Sequence, residues 1–174
     1  DQIATLKDKY FKETDFQWYK YVYQPAPMYT ADVSVSGGTS AVRYYLSGGA
    51  LSQDGLRMGS SYKKAFGRIN LDAKLAEWAR AGVNTQIAYD DTRVSPFGSN
   101  NAVGGGLAAM NAPFASPYDP NTGKELERVP LLDITTPRHV ISTNPAKTNA
   151  FILSANGSLT LTPIKDLTLR SLVG

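Results

Sequence analysis

The feature that most constrains the fold of this chain is a strict alternation of apolar and polar residues over several long stretches. In the first stretch, residues 28–36, the apolar side chains that follow Met28 stand at odd positions and the polar side chains at even positions. The apolar positions are Tyr29, Ala31, Val33 and Val35. Because successive side chains of a β-strand point to opposite faces, this period of two predicts a strand with one apolar and one polar face.

Five further stretches show the same alternation, so the sequence predicts six antiparallel strands. The connections between them are alternately short and long: 37–41, 53–61, 76–78, 92–148 and 162–166. This asymmetry is typical of a transmembrane β-barrel, whose strands close tightly at one rim and carry long loops at the other. The predicted strands, at roughly nine to thirteen residues, match the length that a tilted strand needs to cross a bilayer, whereas soluble strands usually have about five or six.

The polar side of these strands carries charged and amide residues that a barrel would turn toward its aqueous lumen. We expect lumen-facing side chains at Asp32, Arg43, Arg68, Asn70, Asp72, Lys74, Asn84, Gln86 and Asp90. Charges of both signs can pair there across neighbouring strands. Alternation alone does not distinguish a lumen from the wet face of a soluble sheet, since both give the same pattern.

Composition excludes several classes of site. The chain has no cysteine, and a catalytic or zinc role for its single histidine, His139, would require partners that the sequence does not indicate. Its 18 Lys and Arg give a net charge of +3 but are scattered, which argues against a nucleic-acid partner. We therefore expect no catalytic residues, no metal site and no cofactor.

The longest connection, residues 92–148, is rich in Gly, Pro, Asn and Ser and has no periodicity. So long a connection would be unusual within a compact soluble domain. In a barrel it would be an extracellular loop, with aromatic residues that could contact a substrate or a lid protein. The candidates are Phe97, Phe114 and Tyr118. Packing of the loop on itself is the more common role for such residues.

The stretch 14–84 resembles the early barrel region of the SusC/RagA family of TonB-dependent outer-membrane proteins. The resemblance is carried by short segments in a fixed order: TDF at 14–16, SVSGG at 34–38, YLSGG at 45–49, QDG at 53–55, YKK at 62–64, RINL at 68–71, EW at 77–78 and GVN at 82–84. Residues 162–174 resemble a later hairpin of the family. Each segment is weakly specific, and their order and spacing make the combination specific.

The resemblance implies an all-β, antiparallel, up-and-down barrel of about 22 strands in the outer membrane of a Gram-negative bacterium. This chain would supply the end of an extracellular loop with a short amphipathic stretch (1–27), four barrel strands (28–91), a long extracellular loop (92–148) and two further strands (149–174). The plug, the TonB box and the remaining strands would be absent. Six strands would leave two unpaired edges, so we expect this segment not to fold stably alone.

The resemblance also implies a function in active nutrient import. Family members take up oligosaccharides or peptides with energy relayed through TonB, ExbB and ExbD, and a SusD-like surface lipoprotein covers the barrel. One alternative is a secreted β-sandwich that binds a ligand or acts as an adhesin. Another is a hydrolase that uses Asp72 and Asp90, since adjacent Asp90 and Asp91 would point to opposite faces.

Overall fold

The chain folds as two compact units in a computed structural model that describes residues 4, 8, 15–95, 113, 115–129, 134–143 and 146–174. The sheet unit comprises Met28–Gln53, Tyr62–Thr92 and Thr148–Gly174. The loop unit comprises Asp1–Pro27, Asp54–Ser61 and Arg93–Lys147. The loop unit is therefore built from an N-terminal stretch and from two connections between strands of the sheet.

The described residues form eight strands, six of which make one antiparallel sheet. In chain order they are β1 (Met28–Gly38), β2 (Val42–Asp54), β3 (Ser61–Ala76), β4 (Ala79–Val94), β5 (Arg128–Val129), β6 (Ile134–Thr135), β7 (Ala146–Ile164) and β8 (Leu167–Val173). The large sheet has the order β1-β2-β3-β4-β7-β8, and β5 pairs with β6 alone. The predicted all-β antiparallel fold is confirmed.

The strands of the large sheet are longer than those of ordinary soluble sheets. β3 and β4 have 16 residues each and β7 has 19, whereas the usual length is about five or six. The tight connections at 39–41, 77–78 and 165–166 all lie at one end, because neighbouring strands run in opposite directions. We call this end the turn end. Backbone hydrogen bonds join neighbouring hairpins there, from Lys74 N to Ala41 O at 2.7 Å and from Thr162 N to Trp78 O at 2.7 Å.

The pairing register places the predicted apolar residues on one face of the sheet. Val35 lies opposite Leu46 in the β1–β2 pair, and Leu161 lies opposite Leu169 in the β7–β8 pair. Directly opposed residues of an antiparallel pair share a face, so these apolar side chains form one continuous surface. We call it the apolar face, and the opposite side the polar face.

Large side chains on the apolar face are exposed in the described structure. The exposed fraction is 70% for Val33, 62% for Leu153 and 53% for Leu169. A soluble β-sandwich buries such a face against a second sheet, whereas an exposed apolar surface of this extent marks contact with a membrane or partner. The exposure therefore argues against the sandwich alternative and indicates a face that contacts a membrane or a partner.

The loop unit has a small hydrophobic core of its own. Two short helices, α1 (Trp18–Val22) and α2 (Pro137–Thr143), contribute to it. The core residues, all at most 6% exposed, are Trp18, Tyr21, Val22, Ala115, Val129 and Val140. The guanidinium of Arg138 lies 5.0 Å from the ring centroid of Tyr21. No helix in the described part of the chain is long and apolar enough to cross a membrane.

Candidate functional site

The polar face of the sheet carries the candidate site. The structure places the nine predicted residues on four adjacent strands: Asp32 on β1, Arg43 on β2, Arg68, Asn70, Asp72 and Lys74 on β3, and Asn84, Gln86 and Asp90 on β4. All nine alternate along their strands with residues of the apolar face. They form one surface, while their exposure to a pore remains a prediction.

In the middle of this surface, side chains of β3 and β4 bond across the strands. Arg68 Nη2 donates a hydrogen bond to Gln86 Oε1 at 3.1 Å. The bond is exposed to solvent, so it competes with water and contributes little to stability. It shows that two residues predicted to share a face are cross-strand neighbours.

Away from the turn end, Asp90 lies in a small polar network. Tyr62 Oη donates to Asp90 Oδ1 at 3.2 Å, and Lys64 Nζ lies 4.0 Å from the same oxygen. We did not predict Tyr62 and Lys64 as site residues. Both are even-numbered, like Arg68 and Asn70 on the polar face of β3. Extending the alternation to the start of β3 would therefore have identified both.

Asp72 and Asp90 lie far apart, which argues against the hydrolase alternative. Asp72 is beside Gly82 of β4, since a Cβ atom built on Gly82 would lie 2.8 Å from Asp72 Oδ1. Gly82 precedes Asp90 by eight residues, which corresponds to about 26 Å at roughly 3.3 Å per residue. Paired catalytic carboxylates of glycoside hydrolases are about 5 to 10 Å apart.

A depression of about 300 Å³ lies in the middle of the polar face. Its lining includes Asn70, Asp72, Asn84, Asn156 and Ser158. Asn70 Oδ1 is buried and has no hydrogen-bond partner among the described residues. A buried amide oxygen of this kind is normally satisfied by water or a ligand. The depression is therefore suited to polar groups.

A second depression, of about 310 Å³, lies at the turn end of the polar face. We call it the turn-end basin and define it by Arg43, Asp72, Lys74, Arg80, Ser158, Thr160 and Arg170, which line it. Arg80 and Arg170 were not predicted as site residues. Arg170 lies directly opposite Thr160 in the β7–β8 register. Extending the alternation along these two strands would therefore have placed Arg170 on the polar face.

One lysine of the turn-end basin has a partner in the adjacent turn. Lys74 Nζ lies 2.6 Å from Glu77 Oε1. This hydrogen bond, together with the positive charges of Lys74 and Arg80, lowers the pKa of the Glu77 carboxyl below its ordinary value. Glu77 therefore remains ionised at neutral pH and offsets the charge of Lys74.

The three aromatic candidates belong to the loop unit. Phe97 and Phe114 lie outside the described residues. Tyr118 is half-buried, with its ring centroid 6.1 Å from those of Phe16 and Tyr21 in edge-to-face contacts. This packing explains Tyr118 without a ligand, and its contact with a substrate or lid remains a prediction.

Among the residues that the structure describes, no group of three or more His, Asp or Glu side chains is arranged to hold a metal ion. The candidate site therefore consists of hydrogen-bonding and charged groups, which can guide or hold polar molecules.

Comparison with known proteins identifies similar sequences and folds. No protein-family model matches the chain. TonB-dependent receptor P26 from Formosa agariphila is 34% identical over 86 residues, which are 49% of this chain and 9% of that protein. The chain thus corresponds to a small part of this curated relative.

Solved structures of the RagAB peptide importer are similar over nearly all of the chain. Its closed-closed state gives a TM-score of 0.79 and 26% identity over 94% of this chain and 19% of that chain. Its open-open state gives the same values. A further RagAB peptide transporter structure gives a TM-score of 0.77 and 27% identity over 92% of this chain and 18% of that chain.

The sequence and structural similarities agree with each other. These relatives are described as a receptor and as transporters rather than as enzymes. The chain is similar to a limited stretch of SusC/RagA-type, TonB-dependent outer-membrane proteins, and this similarity supports the resemblance found in its sequence.

Proposed function

We propose that the chain forms part of an active outer-membrane nutrient importer. The observation that carries this proposal is the long-stranded sheet with an exposed apolar face, which matches RagAB with a TM-score of 0.79 over 94% of the chain. In this proposal the apolar face contacts lipid acyl chains. The nine predicted polar residues line the aqueous interior.

For the substrate, we propose peptides, because the similar structures are of a peptide importer. Oligosaccharides, the other class expected from the resemblance, become the competing outcome of the test. Energy would come through TonB, ExbB and ExbD. A SusD-like lipoprotein would cover the barrel, and residues 92–148, with Phe97, Phe114 and Tyr118, would face substrate or lid.

A growth experiment tests import and substrate together. The gene for the full-length protein is deleted from its Gram-negative source, and growth is compared on peptides as the sole nitrogen source, on oligosaccharides as the sole carbon source, and on free amino acids with glucose. We expect loss of growth on peptides only. Loss on oligosaccharides only would overturn the peptide assignment, and unchanged growth on both would overturn import of either class.

A second experiment tests the location and the lipoprotein partner. The tagged full-length protein is extracted from separated membranes with detergent and purified, and proteins that remain bound are identified by mass spectrometry. We expect the protein in the outer-membrane fraction together with a SusD-like lipoprotein. Recovery from the soluble fraction without detergent would contradict the proposal.

A further inference from the structure

We propose that the apolar face carries a binding groove for a zwitterionic phospholipid, whose headgroup bears a phosphate and an ammonium group. The proposal rests on the proposed function, in which this face contacts lipid. It goes further by assigning one defined position on the face to a lipid of stated chemistry.

A trough of small side chains runs along the middle of the apolar face. Gly48 and Ala50 of β2 form it together with Ala65 and Gly67 of β3. A depression of about 500 Å³ is lined by both glycines, and another of about 560 Å³ is lined by both alanines. The two depressions are neighbours, because Gly48 and Ala50 are successive residues on the same face of β2.

Larger side chains form both sides of this trough. Tyr29 and Val33 of β1 stand on one side, and Ile87 and Tyr89 of β4 stand on the other. All four are exposed. We call the trough and these four side chains the apolar groove. A floor of small residues between larger walls lets an acyl chain lie along the strands and contact the protein on three sides, which maximises van der Waals packing.

Packing within the sheet does not explain the two glycines of the groove. A Cβ atom on Gly67 would lie 3.4 Å from Ile87 Cγ2 and 3.8 Å from Ser47 O, and one on Gly48 would meet only a backbone oxygen at 3.4 Å. These are ordinary contacts, and neither glycine has a positive φ. Glycine weakens the interior of a strand and often marks a place where a ligand approaches closely. We therefore attribute both glycines to the space that they leave for a ligand.

The end of the groove away from the turn end carries two opposite charges. Lys63 and Asp91 line it there. The Lys63 ammonium has no ion-pair partner among the described residues. Asp91 already makes another interaction, but an ionised carboxylate can accept several hydrogen bonds. A phosphate at Lys63 and an ammonium at Asp91 would match both charges, and a phosphoethanolamine headgroup carries this pair.

The length of the groove fits one leaflet of a bilayer. Positions 63 and 67 of β3 are about 13 Å apart, at roughly 3.3 Å per residue. The hydrocarbon core is about 30 Å thick, so one leaflet extends over about 15 Å. Tyr29 and Tyr89 would lie at the headgroup level, where tyrosine is enriched. A lipid held at Lys63 would therefore extend its acyl chain over the whole trough.

A second copy of the protein is the competing occupant of this face. Association of two copies would cover a broad area of large apolar side chains. The features described here are instead confined to a narrow trough with a pair of charges at one end. This arrangement favours a single lipid, and the experiment distinguishes the two occupants.

Native mass spectrometry of the full-length protein tests the proposal. The protein is released from detergent micelles that contain equal amounts of phosphatidylethanolamine and phosphatidylglycerol with identical acyl chains. The lipids that remain bound are identified by mass. Because phosphatidylglycerol has the phosphate without the ammonium group, we expect phosphatidylethanolamine to be retained in several-fold excess.

Filling the groove provides the second measurement. Gly48→Leu combined with Gly67→Leu is expected to reduce the retention of phosphatidylethanolamine several-fold. Ala155→Leu adds the same side chain to the apolar face of β7, outside the groove, and should leave retention unchanged. Altered gel mobility confirms that each variant is a folded barrel.

Removal of single charges tests the headgroup end without changing the groove. Lys63→Gln is expected to reduce the retention of both lipids several-fold. Asp91→Asn should remove the preference for phosphatidylethanolamine over phosphatidylglycerol. Lys165→Gln, in the tight turn at the opposite end of the sheet, is the control and should change neither quantity.

Any of three results would overturn the proposal: no excess of phosphatidylethanolamine on the unaltered protein, unchanged retention after Lys63→Gln, or unchanged retention in a folded variant with the filled groove. Loss of self-association in that last variant, with lipid retention unchanged, would assign the groove to a second copy. Each result leaves the growth experiment unaffected, so failure of lipid binding and failure of import are distinguishable.

Discussion

At the scale of single residues, two adjacent glycines of β2 have different surroundings. A Cβ atom on Gly48, on the apolar face, would meet only Phe66 O at 3.4 Å, which is an ordinary contact. A Cβ atom on Gly49, on the polar face, would lie 2.7 Å from Phe66 Cζ and 2.9 Å from Ala31 O. Because Ala31 O belongs to the neighbouring strand's backbone, it cannot move aside freely. Gly49 therefore permits both the Phe66 ring position and the β1–β2 pairing.

We expect Gly49→Ala to destabilise the full-length barrel by about 1–3 kcal/mol, the usual cost of overpacking. Gly48→Ala is the matched control and should have little effect. The measurement is the temperature at which each detergent-solubilised variant loses the altered gel mobility of a folded barrel. Equal shifts for both variants would contradict the close contact at Gly49.

Substitutions on the two faces of β7 are also expected to have different effects. Leu153 is 62% exposed on the apolar face, near the middle of the strand, and Ser154 is its neighbour on the polar face. We expect Leu153→Arg to destabilise the folded protein in a bilayer by about 2–4 kcal/mol, the cost of a lipid-facing Arg near the bilayer centre. Ser154→Arg should cost much less. Urea unfolding in lipid vesicles measures both, and equal costs would argue against lipid contact.

At the scale of elements, α1 stabilises the loop unit through its aromatic side chains. Trp18 is 3% exposed and contacts Phe16 and Tyr21 edge to face, at centroid distances of 5.0 and 5.7 Å. These contacts hold a five-residue helix that would be unstable alone. The folded structure of the loop unit therefore depends on tertiary packing.

We expect Trp18→Ala to remove about 3–5 kcal/mol from this local core. Amide hydrogen exchange should then rise in residues 115–129 and remain unchanged in the centres of β3 and β4. Tyr19→Ala is the control, because Tyr19 is 53% exposed. Unchanged exchange in 115–129 for the Trp18 variant would show that the core is not held by this residue.

The long strands were predictable because the alternation of apolar and polar residues is a local property of the sequence. A period of two over many residues identified the strands and the shared face of Arg68 and Gln86, which the structure joins by a hydrogen bond. Arg80 and Arg170 carried the same parity signal, and their convergence in one basin became visible only with the strand order. The core of the loop unit was not predictable, because Trp18, Val129 and Val140 are far apart in sequence and share no periodicity.

At the scale of the whole molecule, the described sheet has two edge strands and one exposed apolar face, and both are unfavourable in water. β1 and β8 each pair with one neighbour among the described strands, and large apolar side chains are exposed between them. Unpaired strand edges beside an exposed apolar surface favour aggregation. We therefore predict that residues 1–174 are poorly soluble in water as an isolated polypeptide.

We expect isolated residues 1–174 to aggregate in buffer and to show no cooperative thermal transition by circular dichroism. Added detergent should increase solubility, because it covers the apolar face. A soluble, monomeric β fold with a cooperative transition in detergent-free buffer would contradict this expectation and would favour a self-contained domain.

The central claim is that one side of this sheet contacts lipid and the other contacts an aqueous interior. The chain contains no cysteine, so single cysteines introduced at each position from 150 to 161 of β7 can carry a spin label within this segment. With the full-length protein in bilayers, the account predicts that oxygen accessibility is highest at odd positions and that accessibility to a water-soluble nickel chelate is highest at even positions. Odd positions shielded from both reagents would mean that the apolar face is sealed inside protein, and would contradict the account.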